Sequence, residues 1–284
     1  NTVLWKPAST AVFSNYVTYQ VFQEAGIPPG VISFLPSTGR TIGSAINHRD
    51  FGGLHFTGST ATFNTLWNQI GKNLDNYKSY PRIVGETGGK NFHLIHPSAD
   101  LESAVFNTVR AAFEYQGQKC SACSRLYVPK SLWPKFKSLM LDTIATIKIG
   151  QSDDFQNFMS AVIDRQAYSD HVDFIEKARA SSDCEIIAGG TYSDEVGNFV
   201  NPTVIVTTNP RFLTMEKEIF GPVLTAYVYD DSEWADTLKL VDTTSPYALT
   251  GAIFARDRSA LVQAQEALKH SAGNLYLNDK STGK

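Results

Sequence analysis

Short apolar runs alternate with amphipathic stretches along the first 86 positions. The pattern predicts a strand over Thr2–Lys6, then a helix from about Thr10 to Ala25, capped by Ser9, with Ala11, Tyr16, Tyr19 and Phe22 on one face. Gly26-Ile27-Pro28-Pro29-Gly30 stops that helix. Strands at Val31–Leu35, Gly53–Phe56 and Arg82–Glu86 alternate with helices at Thr38–Asn47 and from Ser59 to about Asn73. This β-α-β-α-β-α-β rhythm predicts one doubly wound layer, a parallel sheet with helices on its faces. After Glu86-Thr87-Gly88-Gly89 the elements lengthen. NFHLI, RLYVP, Glu185–Ala188, Thr203–Val206, Val223–Tyr229, Thr250–Phe254 and Asn274–Leu277 read as strands. Helices fit Leu101–Tyr115, Leu132–Ile147, Arg165–Ala180, Glu233–Val241 and Ser259–His270. The expected organisation is α/β throughout, with a boundary near Glu86–Gly89 that divides the chain into 1–86, the parallel-sheet layer, and 87–284, a second α/β domain.

Composition narrows the class. The 284 residues are 42% apolar and 19% charged, enough for a sizeable core. A net charge of −3 with no basic stripe argues against nucleic acid. No apolar run approaches the ~18–20 residues needed to cross a bilayer. The start, NTVLWKPAST, has the features of neither a signal nor a transit peptide and reads like the interior of a folded domain, so upstream sequence is expected. Three cysteines cannot form a closed disulfide set, which favours a reducing compartment.

The candidate chemistry centres on EYQGQKCSACSR, Glu114–Arg125, where Cys120 and Cys123 stand three positions apart. A structural zinc needs about four ligands, and no second close pair accompanies this one, so no metal site is expected. A redox C-x-x-C normally opens a helix after a strand, whereas here a helix precedes and a strand follows. What remains is one nucleophile with a bystander, or a buried inert thiol. His55–Thr60, HFTGST, is a strand, a glycine, then Ser59 at a helix start; this suits a phosphate, although a plain helix cap is the commoner meaning. Glu86, at a strand end beside glycines, is a candidate base if partly desolvated, or a turn carboxylate.

Read in order, WKPAS, FTGST, ETGGKN, GQKCSACSR, KEIFGPVL and NLYLND resemble the aldehyde dehydrogenase superfamily along essentially the whole chain. The wording around ETGGKNFHLIHPSAD is most similar to the branch that oxidises L-glutamate γ-semialdehyde in proline catabolism. The resemblance implies oxidation of an aldehyde to a carboxylate with NAD, through a cysteine thiohemiacetal and thioester. It implies that 1–86 is part of a dinucleotide-binding domain and that 87–284 carries the catalytic thiol. It implies Cys120 as nucleophile and Glu86 as activator of the hydrolytic water. It implies Lys6, Ser9, Gly39, Gly58 and Ser59 on the adenosine and pyrophosphate side of the cofactor, and Glu218 and Phe220 on the nicotinamide side. Ser121 and Gly283 would hold the substrate carboxylate. It further implies a homo-oligomeric parent protein, in the mitochondrial matrix of a eukaryote and otherwise in the cytoplasm.

Two departures from the family pattern matter. Ser9 stands where the superfamily often has Glu; lacking that charge, it tolerates a 2′-phosphate, so NADP is compatible as well as NAD. The family's oxyanion asparagine has no counterpart here, and the carboxylate cradle is cut short after Lys284. The isolated chain is therefore expected to be weak or inert. A fragment that binds cofactor without catalysis, and a cysteine-dependent esterase or acyl transferase, stay open as alternatives.

Overall fold

The computed structural model describes residues 1–282, so Gly283 lies outside the described residues. The chain forms two compact units, Asn1–Thr87 and Gly88–Lys284.

The first unit begins with β1 (Val3–Trp5), α1 (Val12–Glu24) and β2 (Ile32–Phe34); β1 and β2 pair in parallel. Trp5, Phe22 and Phe34 pack their rings between strand and helix. Then come α2 (Gly39–Ile46), β3 (Gly53–Thr57), α3 (Thr60–Gly71) and β4 (Arg82–Glu86), with β3 and β4 also parallel. Gln69 of α3 donates to the Gly43 carbonyl at 2.8 Å, tying α3 to α2. Two expectations need correction. Ser9 does not cap α1: it lies in a 3₁₀ turn, Ser9–Ala11, whose preceding residue Ala8 has no side chain able to bond. The single layer is interrupted too, because β1–β2 and β3–β4 form separate two-stranded ladders among the described residues. Apolar periodicity reports which faces are buried, not which strand edges meet.

The second unit runs β5 (Phe92–Ile95), α4 (Leu101–Phe113), β6 (Arg125–Pro129), α5 (Trp133–Ala145), α6 (Arg165–Arg179) and β7 (Cys184–Ala188). A small hairpin, β8 (Tyr192–Ser193) and β9 (Phe199–Val200), follows. After it come β10 (Thr203–Thr207), α7 (Leu213–Glu216), β11 (Val223–Tyr229), α8 (Trp234–Thr243), β12 (Thr250–Phe254), α9 (Arg258–Leu268) and β13 (Asn274–Leu277). Seven strands form one sheet in the order β13-β12-β5-β6-β11-β10-β7, parallel except for β7 against β10.

Alternation along buried strands sorts side chains between two faces. Ile95, Leu126 and Val128 meet α4 and α5, whereas Phe92, Leu94 and Tyr127 join the layer of α8 and α9. The same alternation points His93 at α4, where its Nδ1 lies 2.9 Å from Thr108 Oγ1. Asp100 caps α4 by accepting from the Ser103 N–H at 3.1 Å. In open parallel sheets ligand sites usually gather beyond the carboxyl ends of the strands. Here Asn91, Ser124 and Leu249 sit at the amino ends of β5, β6 and β12, and the chemistry-bearing loops collect on that side.

Candidate active site

The Cys120 turn is built by a left-handed exit from α4. Tyr115, Gln116 and Gly117 take φ values of 56°, 58° and 66°. Only glycine fits at 117, since a Cβ there would stand 2.4 Å from the Gly221 carbonyl oxygen. Gln116 fixes the kink from its side chain, donating to the Ala161 carbonyl at 2.9 Å. The chain then turns through Lys119–Ser124 into β6, leaving Cys120 and Ser121 half-buried and Ala122 and Cys123 buried.

Asn91 holds this turn. Its Nδ2 donates to the carbonyls of Cys120 and Ala122, both at 2.8 Å. Its Oδ1 accepts from the N–H groups of Leu249 and Thr250 at 2.9 and 3.0 Å. All four hydrogen-bonding positions of a fully buried amide are thereby used. Ser121 is fixed through its carbonyl, which accepts from Thr250 Oγ1 at 3.1 Å and from Ser281 Oγ at 3.4 Å. Lys119 pairs with Glu114 at 3.1 Å, and Lys280 approaches the same carboxylate at 3.5 Å. Burial opposes ionisation of Glu114, but the bond from Lys119 and the surrounding cations outweigh it and hold its pKa below the ordinary value.

The two cysteines differ as their surroundings dictate. Cys123 is 2% exposed, and burial pushes its thiol up to about 12. It is a small apolar filler in the core between α4 and the sheet.

Facing the turn is Lys217–Gly221. Phe220 adopts φ 57° and is 45% exposed. Its carbonyl accepts a bond from His171 Nε2 at 3.2 Å, and burial holds His171 below its ordinary pKa. Gly221 lies against that imidazole: a Cβ would come within 2.3 Å of Nε2. The carboxylate of Glu218 accepts from the Gly89 N–H at 3.0 Å. Its pKa is raised by burial, opposed by that bond and by Lys90. Gly89, Lys119, Cys123, Ser124, Glu218 and Phe220 line a narrow cleft, so the sequence-predicted Glu218 and Phe220 come together beside the turn that carries Cys120.

In the first unit, Ser59 caps α3, its Oγ accepting from the Thr62 N–H at 3.2 Å. The remaining N–H groups of the first turn have no partner within the helix. The Gly58 N–H donates to the Glu86 carbonyl at 3.1 Å, so the predicted base and the predicted phosphate end adjoin. Gly85 admits α3 onto this ribbon, since a Cβ there would stand 2.2 Å from Phe63 Cζ. The Glu86 side chain is exposed at the end of β4. Lys6 follows β1 and donates to the Pro7 carbonyl at 2.6 Å; Ser9 and Gly39 are exposed, Gly39 as the first residue of α2. A separate hollow between α1 and β2, lined by Tyr19, Phe22, Gln23, Ile27, Pro28 and Ile32, contains none of the predicted site residues.

Sequence reading assigned no role to Lys90, Asn91, His93 or His171. The available signal was the run of polar residues in Lys90-Asn91-Phe92-His93 at the entry to a strand buried on both faces. Polar groups in such a place must be satisfied by something. Among the described residues no group of three or more His, Cys, Asp or Glu is placed to hold a metal ion, and no helix is long and apolar enough to cross a membrane.

A half-buried cysteine on a tightly clamped turn, with a carboxylate and a left-handed phenylalanine lining the cleft beside that turn, agrees with family membership. The chain belongs to the aldehyde dehydrogenase family, whose model matches residues 1–284. Within that family it is similar to the mitochondrial Δ1-pyrroline-5-carboxylate dehydrogenase of Dictyostelium discoideum, 56% identical over 286 residues, covering 100% of this chain and 51% of the relative. The Δ1-pyrroline-5-carboxylate dehydrogenase of Agaricus bisporus is 54% identical over 284 residues, covering 100% and 52%. The crystal structure of the Mycobacterium tuberculosis enzyme of that name, bound with NAD, superposes with a TM-score of 0.94 at 43% identity, covering 100% of this chain and 52% of that one. The chain thus spans about half the length of the relatives it matches.

Proposed function

We propose that this chain contributes both catalytic residues of an NAD-dependent oxidation of L-glutamate γ-semialdehyde to glutamate, as in proline catabolism. The Cys120 thiolate adds to the aldehyde carbon, giving a thiohemiacetal. Loss of hydride from that carbon leaves a thioester, and Glu86 takes the proton of the water that cleaves it. One difficult step becomes two easier ones. The nicotinamide cofactor, when bound, supplies the hydride acceptor.

The residues present fit such a cofactor. The start of α3 offers unpaired N–H groups and a partial positive charge to a pyrophosphate, with Ser59 beside them. Lys6, Ser9, Gly39 and Gly58 belong to the same unit. Glu218 keeps one oxygen on the Gly89 N–H, and the other can accept from a ribose hydroxyl. Ser9 brings no negative charge against a 2′-phosphate, so NADP is compatible. Ser121 is assigned to the substrate carboxylate, with Gly283 beyond the described residues. The NAD named for the Mycobacterium tuberculosis structure and the names of the fungal and slime-mould relatives support this reading. It includes a homo-oligomeric parent and, as the name of the Dictyostelium relative suggests for a eukaryotic source, the mitochondrial matrix.

The observation that carries the reading is the Asn91 bond to the Cys120 carbonyl at 2.8 Å, which joins the E-x-GGK-N and GQ-x-C motifs at the amino ends of β5 and β6. The test is formation of NADH at 340 nm from glutamate γ-semialdehyde by the parent protein, with Cys120→Ala as control. Turnover that survives Cys120→Ala contradicts it.

A further inference from the structure

Three observations around Glu218 bear on how its carboxylate is held. The first is steric. A Cβ on Gly88 would stand 2.0 Å from Glu218 Oε2 and 2.1 Å from Oε1, so the glycine exists in space that the carboxylate occupies. The second is the Gly89 N–H, aimed at Oε1 at 3.0 Å. The third is Lys90, whose side chain is 1% exposed and whose Nζ has no hydrogen-bond partner among the described residues. An unpartnered buried amine is costly and calls for an explanation.

The surroundings of Lys90 sharpen the question. Arg125 is also buried, its guanidinium 5.4 Å from the Phe92 ring centroid and 5.9 Å from that of Tyr127. Arg125 donates to the carbonyls of Lys90 and Val241 at 2.8 and 3.0 Å and to the Tyr127 hydroxyl at 3.2 Å, so its donors are met by neutral acceptors. Two buried cations therefore share one region. The charged or titratable groups acting on Lys90 are Arg125, Glu218 and Cys123, and Cys123 is held as a neutral thiol. Glu218 is the one carboxylate in that set.

We propose that Gly88, Gly89 and Lys90 form a receptor that holds and aims the Glu218 carboxylate, with Lys90 as its positioning residue. Gly88 makes room, the Gly89 N–H fixes one oxygen, and the Lys90 ammonium supplies the opposite charge from within the protein. The free side of the carboxylate is thereby turned outward for a vicinal-diol ligand. Burial and Arg125 bring Lys90 down to about 7, so the amine gains most from an anion it can approach. The inference rests on the reading that Glu218 contacts the cofactor ribose, and it assigns a second task to the E-x-GGK motif.

Two measurements test it and separate it from that reading. The first titrates NAD into wild type, Glu218→Gln, Lys90→Met and the double variant, following quenching of intrinsic fluorescence. If Lys90 acts through Glu218, Lys90→Met weakens binding about tenfold in wild type and adds nothing in the Glu218→Gln background. Gly88→Ala, which expels the carboxylate, behaves the same way and carries the test if Lys90→Met fails to fold. The second needs no cofactor: the side-chain carboxyl ¹³C signal of Glu218 titrates at higher pH in Lys90→Met than in wild type. Additive losses in the double variant, or an unmoved Glu218 titration, overturn the receptor and leave the cofactor reading standing. Unchanged NAD affinity in Glu218→Gln overturns the cofactor reading and, with it, the purpose assigned to the receptor.

Discussion

The side-chain amide of Asn91 spans the gap between the Cys120 carbonyl, at 2.8 Å, and the start of β12, where the Leu249 and Thr250 N–H groups reach its oxygen. One residue thus ties the turn before β6 to a strand two places away in the sheet. Asn91→Ala orphans two carbonyls and two N–H groups in a dry site. Each unmet buried group costs ~1–3 kcal/mol, with partial relaxation, so a loss of roughly 3–5 kcal/mol is expected in urea denaturation. Alkylation of Cys120 under native conditions is expected to change several-fold as the turn loosens. A loss below about 1 kcal/mol means that the amide does not hold the turn.

The environments of Cys120 and Cys123 predict selective thiol chemistry. The first is half-buried on a turn; the second is buried, with its pKa pushed up to about 12. Iodoacetamide at pH 8, followed by peptide mapping, is expected to modify Cys120 at least tenfold faster, with Cys123 reacting only on unfolding. Comparable native-state rates at the two positions would remove the basis for choosing Cys120.

Much of this was legible before any coordinates, and the remainder was hidden for identifiable reasons. The strand at Val223–Tyr229 and the helix opening after Ser59 follow from apolar run length and a capping serine. The expected helix to Tyr115 stops at Phe113, because Tyr115 and Gln116 take positive φ that neither residue type announces. Ser9 looked like a cap on composition alone, and a 3₁₀ turn took its place. Cys120 and Glu218 were found through motifs. Asn91 stands inside those same motifs, but its partner Leu249 lies 158 positions away, a separation no local pattern encodes.

Under the proposed chemistry Glu86 acts after hydride loss, in cleavage of the thioester. Glu86→Gln keeps size and hydrogen bonding but cannot take the proton from water. The expected outcome is a rapid burst of NADH close to one equivalent per active site, then a steady rate lowered by about 10²–10⁴-fold. Stopped-flow absorbance at 340 nm separates the two phases. A burst lost together with the steady rate would instead assign Glu86 to thiol activation.

His93 predicts how acid acts on the fold. Both ring nitrogens have partners: Nδ1 lies 2.9 Å from Thr108 Oγ1 and Nε2 lies 3.0 Å from Ser281 Oγ. The ring is fully buried and neutral, and burial lowers its pKa from 6.5 to about 3. Above pH ~6.5 neither the folded nor the unfolded state protonates it, and its contribution to stability is fully present. As pH falls below that value the unfolded chain takes up a proton that the folded ring refuses, so this stability is lost progressively down to the folded pKa. Between pH 6.5 and 5 the loss from this residue is about 2 kcal/mol, at 1.36 kcal/mol per unit. His171, also lowered by burial, acts in the same direction. Urea denaturation at pH 7 and pH 5 measures the slope directly. His93→Gln keeps polar contacts with Thr108 and Ser281 but cannot titrate, so its stability is expected to fall by about 2 kcal/mol less than wild type over that interval. Equal slopes would mean that the His93 ring becomes protonated within the fold, with Ser281 and Thr108 rearranging to receive the charge.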